Sequence, residues 1–124
     1  MGMFDYITVE EDNELGLPSN VDYQSKCLNC ALDNYIIKKD GSVILSKVLS
    51  EYYQWWLTSH NTPSKIPAKI TGVNGNITIY GDDKNGKWHE YELTLEDGKV
   101  SKIEEYGTDE IEINIDNIIW DYDV

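Results

Sequence analysis

Apolar and polar positions recur along most of this chain with the period of two that marks β-strands. Met3 to Val9 is apolar enough for a first strand, and residues 10–20, where Glu-Glu-Asp-Asn-Glu is followed by Gly16 and Pro18, read as a loop. Cys30 to Lys38 reads as a strand that Asp40-Gly41 turns into Ser42 to Leu49; an Asp-Gly pair between apolar runs is a strong hairpin signal. Ile77 to Tyr80 and Trp88 to Leu95 form a further strand pair around the turn Asp82-Asp83-Lys84-Asn85-Gly86. In the second of these, His89, Tyr91, Leu93 and Leu95 share one face, and Glu90, Glu92 and Thr94 share the other. Asp97-Gly98 then leads into Val100 to Tyr106, and Glu110 to Asp116 alternates strictly, with Ile111, Ile113 and Ile115 inward and Glu110, Glu112, Asn114 and Asp116 outward.

Two segments resist the strand reading. Ser50 to Leu57 carries Tyr52, Tyr53, Trp55 and Trp56 within five positions, which suits a short helix or the end of a long strand, and periodicity does not choose between them. Thr58 to Thr71, polar and broken by Pro63 and Pro67, reads as a long surface loop. Successive hairpins imply a mainly β, β-rich α+β fold: an antiparallel meander forming a twisted sheet or small barrel, with at most one or two short helices.

The 124 residues suit a single domain spanning 1–124, and four Trp, nine Tyr and one Phe supply large faces for its core. No stretch approaches the ~20 consecutive apolar residues of a membrane helix, and Met-Gly-Met-Phe-Asp lacks the regions of a signal peptide. A cytoplasmic protein with reduced cysteines and no membrane partner is expected.

Charge changes the picture most. The net charge is −13. Residues 1–25 carry six acids (Asp5, Glu10, Glu11, Asp12, Glu14, Asp22) and residues 104–124 carry eight (Glu104, Glu105, Asp109, Glu110, Glu112, Asp116, Asp121, Asp123), with no base in either segment. All ten basic residues are lysines and lie in 26–103, against nine acids. Such a field repels phosphates, and the absence of arginine removes the side chain best suited to grip them, so direct nucleic-acid binding is disfavoured. A near-neutral middle that builds the sheet and acidic ends available for a basic partner is the simplest division of labour.

Little chemistry assembles. Cys27-Leu28-Asn29-Cys30 has the spacing of half a zinc site, but only His60 and His89 remain as partners, each isolated, so Cys27 and Cys30 are weak metal candidates, and the better reading makes at least Cys30 a small buried hydrophobe at a strand start. His89 shares its face with Tyr91 and Leu93, as a structural histidine would. There is no nucleophile elbow or glycine-rich phosphate loop, and Asp82–Gly86 lacks the ligand order and closing Glu of a calcium loop. No catalytic residue, enzyme activity or cofactor is expected. Two binding constellations remain. One is the acidic run Glu104, Glu105, Asp109, Glu110, Glu112, Asp116, Asp121 and Asp123, whose outward carboxylates along a strand would stand ~6.6 Å apart, a spacing like that of backbone phosphates. The other is the aromatic group Tyr52, Tyr53, Trp55 and Trp56, residue types that dominate interface hot spots and cores alike.

The opening Met-Gly-Met-Phe-Asp-Tyr, then Tyr23-Gln24-Ser25-Lys26, Cys30-Ala31-Leu32-Asp33-Asn34-Tyr35, Ile77-Thr78-Ile79-Tyr80, Trp88-His89-Glu90-Tyr91 and Asp97-Gly98-Lys99-Val100 resemble a group of small phage and prophage proteins. That group has Tyr-His-Gly where this chain has Val73-Asn74-Gly75, and ends without so acidic an extension, which assigns the C-terminal acids to this member's own task. The resemblance implies a phage protein. With the charge, it raises the expectation of a counter-defence inhibitor, similar to anti-CRISPR or anti-restriction DNA mimics, that binds a host protein or nucleoprotein complex with a basic cleft in the host cytoplasm. The alternative is an accessory or structural phage protein whose acids only solvate it; a small zinc-binding or hydrolytic protein comes third.

Overall fold

The computed structural model describes residues 4–28, 33–47, 63–105 and 113–124. Among the described residues nine strands follow one another: β1 (Asp5–Val9), β2 (Tyr23–Ser25), β3 (Asn34–Ile37), β4 (Val43–Lys47), β5 (Ala68–Thr71), β6 (Gly75–Asp82), β7 (Trp88–Glu96), β8 (Lys99–Glu105) and β9 (Ile119–Asp121). They form one sheet in the order β8-β7-β6-β2-β1-β3-β4-β5-β9, curled into an open half-barrel. The mainly β expectation holds. The described ladders are antiparallel except that of β1 with β3, which run parallel because β2 intervenes in sequence and pairs with the other side of β1. Among the described residues no helix is long and apolar enough to cross a membrane.

Alternation decides which face closes on the core. Along β1 the buried positions are Asp5, Ile7 and Val9, and along β3 and β4 they are Tyr35, Ile37, Val43 and Leu45. Ile77, Ile79, Leu93 and Leu95 continue this inner face across β6 and β7, and Tyr23 packs among them almost fully buried. Its phenol is satisfied by donating to the Pro18 carbonyl at 2.8 Å, which ties the loop after β1 to the core. That loop is further closed by Asn13, whose side chain accepts from Leu17 N at 2.9 Å and donates to the Glu10 and Leu17 carbonyls.

The curl brings turns distant in the chain together. Val100 N donates to the Gly41 carbonyl at 2.9 Å, Ser42 bridges Lys99, and Gly98 N donates to the Val73 carbonyl at 2.7 Å. Asp97 completes the junction by accepting from Gly72 N at 2.7 Å. The Asp40-Gly41 and Asp97-Gly98 turns therefore form hairpins where expected and also lock the half-barrel.

Three expectations need correction. The end of the supposed loop Thr58 to Thr71 is β5, paired with β4 and β9; Ala68 and Ile70 are buried there, so a polar stretch still carries an inner-face pair. The strand expected to reach Asp116 does not do so, because Ile115–Asn117 is a turn of 3-10 helix opened by Asn114, whose side chain accepts from Asp116 N at 3.0 Å. The pairing strand comes later, at β9. Nor are the acidic ends separate from the sheet: they supply β1, β2 and β9, Ile113 and Ile118 are buried, and Asp5 is wholly enclosed, accepting from Asp33 N at 3.1 Å.

Candidate interaction surface

Of the residues expected to bind a partner, Tyr52, Tyr53, Trp55, Trp56, Asp109, Glu110 and Glu112 lie outside the described residues, as does Cys30. Glu104 and Glu105 sit at the end of β8, Asp116 in the 3-10 turn, Asp121 on β9 and Asp123 just beyond it. β8 and β9 are opposite edges of the sheet, so the acids at their ends do not form one ladder. Lysines meet two of them: Lys102 Nζ lies 2.6 Å from Glu104 Oε1 and Lys69 Nζ 3.6 Å from Asp121 Oδ2. The Glu104 hydrogen bond, and then its charge, hold the Lys102 ammonium above its ordinary pKa. Both pairs are solvent-facing and screened by salt. Cys27 is buried, and its sulfur accepts from Thr78 N at 3.4 Å.

A polar chain runs along the inner edge of β7. Asp83 Oδ1 accepts from Asn85 N and Lys87 N at 2.8 and 3.0 Å, closing the β6–β7 turn, while Oδ2 stands 3.0 Å from His89 Nε2. His89 Nδ1 is 3.4 Å from the Tyr91 hydroxyl, and Tyr91 meets Tyr23 edge-on at 6.2 Å. The His89 hydrogen bond, followed by the turn amides, holds the Asp83 carboxyl below its usual pKa. Beside this chain opens a cleft of about 130 Å³ lined by His89, Tyr91 and Glu105, below the ~300 Å³ at which small-molecule sites begin. Because Asp83 binds protons less readily folded than unfolded, the stability it lends is complete above the usual carboxylate range and fades as pH falls through its lowered folded value. Asp83→Asn should thus reduce the urea midpoint at neutral pH, with the deficit shrinking below pH about 4. A deficit constant with pH would mean that the charge contributes nothing.

The outer face holds what sequence reasoning missed. Ladder register carries one row across β7, β6, β2 and β1 through Glu90, Tyr80, Gln24 and Tyr6. Trp88 lies beside this row opposite Asp82, with its ring stacked on Tyr80 at 5.7 Å and 26°. Phe4 meets Tyr6 edge-on at 5.1 Å at the other end. Trp88 is 52% exposed and Tyr6 43%. The signal was present in the alternation, since Trp88 falls in phase with Glu90 and Glu92, the polar face of its strand. No protein-family model matches the sequence, and neither a curated protein nor a solved structure matches the chain.

Proposed function

We propose that this chain is a phage-encoded, non-enzymatic inhibitor that acts in the host cytoplasm by occupying the basic cleft of a nucleic-acid-handling defence complex. The observation that carries this reading is the charge: fourteen carboxylates and no base in residues 1–25 and 104–124, a net −13, and no arginine anywhere. A net field of this sign attracts a basic cleft over several ångströms and repels the nucleic acid that competes for it. Support also comes from the spread of described carboxylates over both sheet edges, which matches an extended basic partner better than a point ligand.

Affinity purification from infected cells tests it. The expected catch is a basic nucleic-acid-handling host complex that is released as salt rises toward ~0.5 M, where screening shortens to a few ångströms. Neutralising Asp109, Glu110, Glu112 and Asp116 together should slow association about tenfold while the thermal midpoint stays within a few degrees. A catch indifferent to salt and to these changes would refute electrostatic capture. Co-purification with virions would instead favour an accessory phage protein, a reading that the lysine pairing of Glu104 and Asp121 makes the runner-up.

A further inference from the structure

We infer that the stacked Tyr80–Trp88 pair on the outer face is a docking point for an arginine side chain carried on a basic protein segment. This rests on the acidic-inhibitor reading and names its point of contact. Outward positions on a strand ordinarily carry polar or small side chains, and an indole half out of the fold leaves apolar ring without cover. Tyr80 beneath it extends the ring surface.

Carboxylates frame that surface. Asp82 is opposite Trp88 and Glu90 opposite Tyr80 in the β6–β7 ladder. Asp22 faces Asp82 across β2 and β6, since Val21 bridges Asp83, Gln24 pairs with Tyr80, and Asp22 N donates to the Asp82 carbonyl. Among the described residues, none of the three forms an ion pair with a lysine. Three negative charges around an exposed aromatic face complement a flat, weakly hydrated cation, which stacks on the ring while its edge N–H groups reach the carboxylates. Arginine has that shape; lysine carries the charge without the plane. The carboxylates repel phosphate, which sets nucleic acid aside as the occupant. A second copy of this chain is set aside too, having no arginine to offer. A segment crossing the strands from Trp88 would meet the Phe4–Tyr6 pair on the far side of Gln24, two strand spacings or about 10 Å from Tyr80.

Fluorescence anisotropy with fluorescein-labelled nona-arginine and nona-lysine peptides at low salt tests the assignment. Wild type should bind nona-arginine more tightly than nona-lysine. Trp88→Ala leaves the charge unchanged and should weaken nona-arginine about tenfold, with little effect on nona-lysine. Glu90→Gln should weaken nona-arginine by more than Glu11→Gln, which removes the same charge from the exposed β1–β2 loop. Equal binding of nona-arginine by wild type and Trp88→Ala, or equal losses for the two peptides, would overturn the docking point while leaving the acidic-inhibitor reading intact. Binding of neither peptide by wild type would remove both. Sedimentation that reveals self-association broken by Trp88→Ala would make the face a contact between copies and overturn the assignment as well. Should Trp88→Ala melt early, the near-isosteric Glu90→Gln comparison decides alone, with a loss equal to that of Glu11→Gln counting against the site.

Discussion

Replacing Gly98 with alanine will lower the stability of the fold by about 3 kcal/mol, whereas Gly86→Ala will lower it by only about 1 kcal/mol. Both glycines adopt a positive φ, +81° and +78°, so both substitutions carry the strain of an L-residue in the left-handed region. Their surroundings differ. A Cβ on Gly86 meets nothing within 4 Å, while one on Gly98 would be driven into the Ile70 carbonyl oxygen and would stand 2.9 Å from Thr71 Cα. Backbone of β5 cannot retreat easily, because that strand is held on both sides by β4 and β9. Urea unfolding of the two variants side by side is the measurement. Equal losses would mean that the half-barrel tolerates a wider gap between the β7–β8 turn and β5.

Tyr23 should give the second large effect, and one that divides into parts. Tyr23→Ala removes a ring that is 1% exposed at the centre of the inner face and should reduce stability by about 3–5 kcal/mol. Tyr23→Phe keeps the ring and loses only the hydrogen bond to the Pro18 carbonyl, for about 1 kcal/mol. Burial first, and then the neighbouring Tyr91, push the Tyr23 phenol well above its ordinary pKa. A raised folded pKa means that the stability gained with the neutral phenol is complete below the unfolded value of about 10 and is lost as pH rises beyond it. Wild type should therefore lose stability above pH 10 or so faster than Tyr23→Phe, narrowing the gap between them. Parallel alkaline profiles would show that the phenol ionises as easily folded as unfolded.

How much of this was legible depended on where the information is stored. Alternation and Asp-Gly turns are local, so β1, the β3–β4 hairpin and the run from β6 to β8 could be read directly, and the inner face of β7 follows the expected phase. Strands β2, β5 and β9 are only three or four residues long and owe their existence to partners elsewhere in the sheet: Ile70 opposite Trp120, Gln24 opposite Tyr80. Nothing in a tripeptide announces that. The end of the Glu110–Asp116 alternation misled because Asn114 caps a 3-10 turn, a side-chain hydrogen bond that period-counting ignores. Charge asymmetry was visible as a count but not as a surface, since Asp5 is buried and Asp121 meets Lys69. The outer aromatic face was written in the phase of Trp88, yet its meaning needed the register that aligns Asp82, Glu90 and Tyr80 around it.

The position of β1 and β2 in the strand order has a consequence for synthesis. These first strands lie in the middle of the finished sheet, with β6 joining on one side and β3 on the other. During translation the β3–β4 hairpin can dock on β1 early, but the open side of β2 has to wait until β6 emerges, some fifty residues later. At ~5–20 residues per second that is an interval of several seconds during which an unfinished strand edge is exposed on the ribosome. Non-local pairing of this kind folds slowly. The first twenty-five residues carry six acids and no base while that edge waits, and like charges on neighbouring nascent chains keep them from completing each other's sheets.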